Sequence, residues 1–302
     1  MHYRELGTTG VKVSEVSMGC NRLGEKGETD THWVDLVSKA VDLGVTLFDT
    51  SESYNGGRSE EMLGTAIAGR HDVMIATKVS RIPGTNVKEF SSGRIMQRCE
   101  ESLRKLRRDC IDLYQLHGPS LDDIKKYDWP VAMAKLKEAG KIRFVGVSIH
   151  GAESGMYLIE HGLVDALQVE YNMVEPEVGH QVFPAAEKAG VAILVRQPMA
   201  QGILTGKFRP GEPVAPGHRA LNAGDDMETY IKRAEAFRGI AGPEHASMGQ
   251  FALRYAFSPR AVSAAIPGAR RIDQLEMNVT ASNGKGLSAG ELRDIAGVQA
   301  RF

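Results

Sequence analysis

Apolar residues along the chain alternate between short β-rich runs and longer stretches of helical periodicity. Eight runs read as strands, at 15–18, 46–49, 73–77, 111–116, 143–147, 166–169, 191–195 and 262–266. Several, VMIAT and VAILV among them, are nearly unbroken apolar segments, the pattern of parallel strands covered on both faces. Between the runs, Ile95, Cys99, Leu103 and Leu106 recur at i, i+4, i+8 and i+11, one apolar stripe among charged residues. Met248, Phe251, Ala252 and Tyr255 repeat the helical spacing. Ser59, followed by Glu60 and Glu61, predicts an N-cap with acidic residues in the first turn, where the helix dipole favours them. Gly44, Gly140, Gly162 and Gly190 each stand between a helical stretch and the next strand, as C-terminal cap glycines do.

Eight βα units without a break in composition predict an α/β fold, a (β/α)8 TIM barrel formed by a single domain over 1–302. The competing open, doubly wound sheet needs a GxGxxG turn after its first strand. The segment there, GCNRLGEKG, carries glycines in another arrangement. The loop 206–225, with Pro210, Pro213 and Pro216, reads as a surface loop over one barrel end rather than a linker.

Composition narrows the function classes. Of 302 residues, 42% are hydrophobic and 25% charged, ordinary for a soluble enzyme. Lys plus Arg number 37 against 38 Asp plus Glu, which argues against a nucleic-acid partner. The opening MHYRELGTTG lacks the layout of a signal peptide. No apolar run approaches the roughly 20 residues of a membrane span, so no membrane partner is expected. The three cysteines, Cys20, Cys99 and Cys110, are odd in number and show no CxxC spacing. No disulfide framework or metal site is expected, and a reducing cytoplasm is the expected location.

In a barrel, chemistry gathers where strands end and βα loops begin. Asp49 ends TLFDT, Lys78 follows VMIAT and His117 follows DLYQL, at the carboxyl ends of successive strands. Tyr54 comes five residues after Asp49, in SESYNGGRSE. Singly these residues read as a cap, a solvated lysine, a structural histidine and a packing tyrosine. Together they converge on one mouth. An ammonium 4 Å from a phenol contributes about 4 kcal/mol at an effective dielectric of 20, so Lys78 is expected to lower the pKa of Tyr54. Asp49 as counter-ion keeps Lys78 protonated, and His117 can hold a carbonyl oxygen near the Tyr54 hydroxyl. The set suits reduction of C=O, where negative charge develops on oxygen.

The chain resembles the aldo-keto reductase family over essentially its whole length. RELGTTGVKVSEVSMG is similar to that family's opening segment, FDTSESYNGGRSEEMLG to its Asp-x4-Tyr motif, IATK to its lysine strand and IDLYQLHGP to its histidine strand. GKIRFVGVS, ALQVEYN, QGILTGKF and SMGQFALRYAFSPRAVSAAIPGARRIDQLEMNV complete the series in order. The resemblance implies a (β/α)8 fold and a nicotinamide cofactor bound without a Rossmann domain. It makes Asp49, Tyr54, Lys78 and His117 the catalytic tetrad, with Tyr54 as general acid. Ser148 and Gln168 would bind the nicotinamide carboxamide, and Gly19, Cys20, Asn21 and Asp49 would line the cofactor site. LVRQPMAQGILTGK would run beside the cofactor through Arg196, Gln197, Pro198, Ala200, Gly202, Leu204 and Lys207. IPGARRIDQLEMN would grip the adenosine end through Ile266, Gly268, Arg270, Arg271, Gln274 and Asn278. Paired arginines at the start of a predicted helix also make a good phosphate seat on physical grounds. They favour NADPH (NADP+) over the form lacking the 2′-phosphate.

Two positions depart from the family pattern. Ile149 stands where many relatives have asparagine, so one carboxamide contact is absent or supplied from elsewhere. Arg196 stands where many place a tyrosine against the nicotinamide. A guanidinium can stack on a planar ring, and its charge is expected to disfavour the oxidised, cationic form. Only 24 residues follow Asn278, which implies a short tail and an open pocket, with Trp33 and Trp129 as candidate substrate contacts. The implied activity is NADPH-dependent reduction of an aldehyde or ketone. The alternatives are an NADP-dependent sugar or alcohol dehydrogenase, or a redox-sensing auxiliary subunit of a potassium channel. The lack of an extended segment ahead of the barrel weighs against the last.

Overall fold

The computed structural model describes residues 1–302 except 83, 86, 216–217, 219–220, 222–223 and 225. Pro216 and residue 225 of the expected surface loop therefore lie outside the described residues. The chain opens with a hairpin absent from the sequence reading, β1 (Tyr3–Glu5) paired antiparallel with β2 (Lys12–Ser14). Eight parallel strands follow: β3 (Met18–Gly19), β4 (Leu47–Asp49), β5 (Met74–Val79), β6 (Ile111–His117), β7 (Ile142–Ser148), β8 (Ala166–Glu170), β9 (Ala192–Arg196) and β10 (Val262–Ala265). They lie side by side in chain order. Parallel bridges Val16–Ala265 and Gly19–Gly268 join the two ends of the sheet. Ser17 N–H donates to the Ala265 carbonyl and Ala265 N–H to that of Glu15, both at 2.9 Å. The expected (β/α)8 barrel is what forms. Its first strand is shorter than the 15–18 reading, since closure there runs through single bridges.

The apolar runs hide a period of two. Phe48, Ile75, Val79, Tyr114, Leu116, Val147, Leu167, Val169, Ile193 and Val195 point outward into the core shared with the helices. Leu47, Met74, Ala76, Leu113, Ala166, Ala192, Leu194 and Ala264 point inward and pack a separate core. Leu6 and Val13 of the hairpin join that inner core, so the hairpin plugs the amino-terminal end of the barrel. Continuing the same alternation by two residues brings Asp49, Lys78, Gln115, Gln168 and Arg196 inward at the opposite end. The polar layer is thus the top storey of the barrel interior.

The helices form the outer layer. They are α1 (Asp30–Asp42), α2 (Arg58–Ala66), α3 (Ser92–Leu106), α4 (Leu121–Lys126), α5 (Trp129–Glu138), α6 (Ala152–Glu160), α7 (Glu177–Ala189), α8 (Met227–Ala236), α9 (Met248–Ala256), α10 (Ile272–Val279) and α11 (Ala289–Gln299). The stripe of Ile95, Cys99, Leu103 and Leu106 is the buried face of α3. Each large apolar side chain so buried contributes about 1.5–3 kcal/mol. Gly44, Gly140, Gly162 and Gly190 all have positive φ, as caps require. Ser59 is not an N-cap. Helix α2 starts one residue earlier behind left-handed Gly57, and the buried Ser59 hydroxyl donates to the Cys20 carbonyl at 2.7 Å. Trp33 and Trp129 are fully buried, the latter donating to the Ile124 carbonyl; neither lines the cleft at the barrel mouth. Among the described residues no helix is long and apolar enough to cross a membrane.

Candidate active site

A cleft of about 1330 Å³ opens at the carboxyl end of the strands. It exceeds the roughly 300–1,000 Å³ of an ordinary small-ligand site, leaving room for a dinucleotide and a substrate together. Asp49, Tyr54 and His117 line it, while Lys78 lies fully buried beneath them. The four are one connected cluster. Lys78 Nζ donates to Asp49 Oδ1 at 2.6 Å and to the Thr50 carbonyl at 2.7 Å. The same ammonium sits 5.1 Å from the centre of the Tyr54 ring. The His117 ring meets that ring edge-on at 5.6 Å, and its Nδ1 is 3.1 Å from the Ser51 hydroxyl.

Local sequence explains the position of Tyr54. It begins the kinked four-residue turn YNGG, in which Asn55, Gly56 and Gly57 take φ of 50°, 67° and 94°. Glycine and asparagine tolerate this left-handed region better than other residues. The Asn55 amide donates to the Leu23 and Asn21 carbonyls at 2.7 and 3.2 Å, fastening the loop to the segment after β3.

Two glutamines complete the cluster. Asp49 Oδ2 accepts from Gln168 Nε2 at 2.7 Å and from Gln115 Nε2 at 3.2 Å. Gln115 was not singled out in the sequence, although its two-residue spacing from His117 on β6 marks it as inward-facing. Ser148 donates to Gln168 Oε1 at 3.4 Å.

The electrostatics differ from expectation at one group. Burial pushes the Tyr54 hydroxyl above its ordinary pKa of 10.0, Lys78 pulls it down, and Asp49 adds to the rise. The expected lowering does not prevail, because the cost of burying a phenolate outweighs the pull of Lys78, which Asp49 opposes in part. Lys78 behaves as expected: burial would strip its proton, but Asp49 and Tyr54 hold it above the usual lysine value of 10.5. Burial, followed by Lys78 and other nearby cations, holds His117 well below 6.5, so it is neutral at pH 7. The cluster therefore presents a protonated phenol, a charged lysine and a neutral imidazole.

The candidate cofactor residues nearly all reach the cleft. Gly19, Cys20, Asn21, Ser148, Gln168, Arg196, Gln197, Pro198, Gly202, Lys207, Ile266, Gly268, Arg270, Arg271, Gln274 and Asn278 line it. Ala200 and Leu204 do not. Their side chains pack into the hydrophobic core, while Met199, Gln201 and Thr205 of the same turn face the cleft. This turn is strained, with Gln197, Ala200 and Gln201 at φ of 53°, 45° and 55°, as backbone at ligand-binding segments often is. The Ile149 side chain is buried and offers the cleft no polar group; its carbonyl accepts from Arg196 Nη2 at 3.3 Å.

Arg196 is not an isolated charge. Its Nη1 lies 2.6 Å from Glu170 Oε2. With its side-chain amide turned so that nitrogen faces the carboxylate, Gln197 bridges the pair, donating to Glu170 Oε1 and accepting from Arg196 Nη1, both at 2.9 Å. The repulsion expected between Arg196 and an oxidised ring is thus offset by a carboxylate the sequence did not connect to it.

At the other end of the cleft Arg270 and Arg271 precede α10, with Arg271 as its N-cap residue. Arg271 pairs with Asp273 at 2.6 Å and Arg270 lies 3.5 Å from Glu25, all on exposed or half-exposed side chains. Such pairs are readily exchanged for a phosphate. Asn278 donates to the Gly268 carbonyl at 3.3 Å, yet its buried Oδ1 has no partner among the described residues. A carbonyl oxygen so placed on a cleft wall lacks a donor that a ligand could supply. The donor set and the orphaned oxygen fit a phosphorylated dinucleotide.

A closed parallel barrel with an Asp–Lys–Tyr–His cluster at its carboxyl mouth, beside a cleft of dinucleotide size, defines a barrel oxidoreductase. The chain matches the Aldo/keto reductase family over residues 15–300, and it belongs to that family. It is similar to L-galactose dehydrogenase of Arabidopsis thaliana, 31% identical over 92% of this chain and 87% of the relative. A probable voltage-gated potassium channel subunit beta of the same plant is 29% identical over 93% of this chain and 91% of its own. Among solved structures, the holo form of aldo-keto reductase AKR11C1 from Bacillus halodurans superposes with a TM-score of 0.85 at 29% identity. That match covers 99% of this chain and 96% of the other.

Proposed function

We propose that the protein is an NADPH-dependent reductase of aldehydes or ketones. The observation that carries this reading is the convergence of Tyr54, His117 and the buried Lys78–Asp49 pair on one wall of the cleft. When bound, NADPH supplies a hydride to the carbonyl carbon. Tyr54 gives its proton to the oxygen on which negative charge builds. Its raised pKa keeps that proton in place beforehand, which supports the acid role over the phenolate base that a dehydrogenase direction requires. Lys78 stabilises the phenolate left behind, and Asp49 keeps Lys78 charged although it is fully buried. Neutral His117 can share a hydrogen bond with the carbonyl oxygen and so orient it.

Arg270 and Arg271 at the start of α10 would take the 2′-phosphate, Asn278 the adenine end, and Ser148 with Gln168 the carboxamide. The test is loss of NADPH absorbance with a panel of aldehydes, for wild type and Tyr54→Phe. The variant is expected to lose about 10²-fold or more in kcat, the scale of general acid catalysis, with NADPH affinity by fluorescence changed less than about threefold. Wild-type turnover in the variant would refute the mechanism. The likeness to a channel subunit favours a second reading, a cofactor sensor. Tight NADPH binding without turnover on any carbonyl would support it.

A further inference from the structure

The wall of the cleft facing away from the adenosine end is positively charged. Lys88 donates to the Gly118 carbonyl, and Gly118 directly follows His117. A β-carbon built on Gly118 would stand 2.4 Å from His150 Nε2 and 3.2 Å from Lys88 Nζ, so the two nitrogens converge on one spot beside His117. Arg81 is bridged to Lys88 across their short antiparallel pairing and lines the same cleft. Burial first, and then the positive charges of Lys78, Lys88 and Arg196, hold down the pKa of His117.

The neighbouring carboxylates are otherwise engaged. Asp123 of α4 accepts from the Ser120 N–H and hydroxyl at 3.0 and 2.8 Å. Asp49 is held by Lys78 and the two glutamines, and Glu170 faces Arg196. Topology separates this cluster from the phosphate seat. Lys88, Gly118 and His150 follow β5, β6 and β7, whereas Arg270 follows β10, four strands from β6 around the closed sheet.

We infer that Lys88 and His150, with Arg81 at the rim, form an anion subsite that selects carbonyl substrates bearing a carboxylate or phosphate group. The proposal rests on the carbonyl-reductase reading and adds a substrate class to it. Lys88 supplies the charge. His150, which burial and then Arg196 and Lys88 hold below 6.5, acts as a neutral hydrogen-bond donor. The anion lies beside His117, so the carbonyl carbon it carries falls near Tyr54.

The experiment compares matched pairs, 4-oxobutanoate against butanal and glyceraldehyde 3-phosphate against glyceraldehyde, on the protein saturated with NADPH. Saturation fills the cofactor's own phosphate seats, so any remaining preference for anions reads this cluster. At least one charged member should have a kcat/KM about tenfold or more above its neutral partner, carried by KM. Which pair shows it separates a carboxylate from a phosphate source. Lys88→Met should cut that ratio about tenfold, Lys88→Arg should restore most of it, and raised ionic strength should erode it.

Equal or better turnover of both neutral members would overturn the proposal, as would a loss in Lys88→Met shared equally by charged and neutral substrates. Calorimetric titration of the NADPH-loaded protein with succinate and with inorganic phosphate keeps the two readings apart. Anion binding that Lys88→Met abolishes, without turnover of any aldehyde, would uphold the subsite and refute the reductase. Turnover without anion preference or binding would uphold the reductase and refute the subsite. Failure of both readouts would refute both.

Discussion

Replacing Asp49 by asparagine tests the electrostatic core of the site. Lys78 is fully buried, and its ammonium lies 2.6 Å from Asp49 Oδ1. At that separation and an effective dielectric of 20 the attraction is about 6 kcal/mol, an upper figure. Removing one partner from a buried pair generally costs about 3–5 kcal/mol, because the other charge stays behind without compensation. Asparagine also turns an amide group toward the Gln115 and Gln168 donors that Asp49 now accepts.

The pH dependence identifies the cause. In the wild type the lysine is held above 10.5, so the stability it contributes is present below that value and is lost only as pH rises through the higher folded one. In Asp49→Asn only Tyr54 and the Thr50 carbonyl still oppose burial, the largest influence on the lysine, and the folded pKa is expected to drop below that of the unfolded chain. The unfolded state then binds more protons over the interval, and the variant gains stability as pH rises, by at most about 1.4 kcal/mol per pH unit. Equilibrium urea unfolding between about pH 6.5 and 9.5 should therefore show a gap from wild type that is widest at low pH and narrows upward. A gap independent of pH would mean that Lys78 stays charged without Asp49. A gap below about 1 kcal/mol throughout would refute the buried-pair reasoning altogether.

The remaining expectations concern the cofactor wall. Glu170→Gln leaves Arg196 without its carboxylate, so NADP+ should lose about fivefold or more in affinity while NADPH changes little, read by fluorescence titration; equal loss for both forms would show that the pair only shapes the loop. Replacing Arg270 and Arg271 together by alanine should weaken NADPH by about tenfold or more and leave NADH unaltered. Unchanged discrimination between the two would move the 2′-phosphate seat elsewhere.

Much of the site was legible because its residues carry their own address. Asp49, Lys78 and His117 end apolar runs, and strand ends in a barrel share one mouth, so spacing alone brought them together. Arg270 and Arg271 were readable because they precede a helix. What was hidden depended on neighbours distant in sequence. Glu170 and Arg196 stand on adjacent strands in register, a pairing that no local pattern announces. The hairpin plug of β1 and β2 was masked by strands of three residues, too short for alternation to register. Trp33 and Trp129 offered two faces to interpretation, and only packing showed both enclosed.

The sequence by itself determined the order of strands and helices, the barrel they close into, and which polar side chains arrive at its mouth, because periodicity and turn chemistry are local properties. Tertiary structure alone decided the charge those side chains present. Desolvation depends on everything packed around a group. Tyr54 met a lysine as expected, but its own burial outweighs that charge, and so its proton is held more tightly than the isolated pair would predict. The convergence of Lys88 and His150 beside Gly118 has the same origin, since two loops on different strands meet only when the barrel closes.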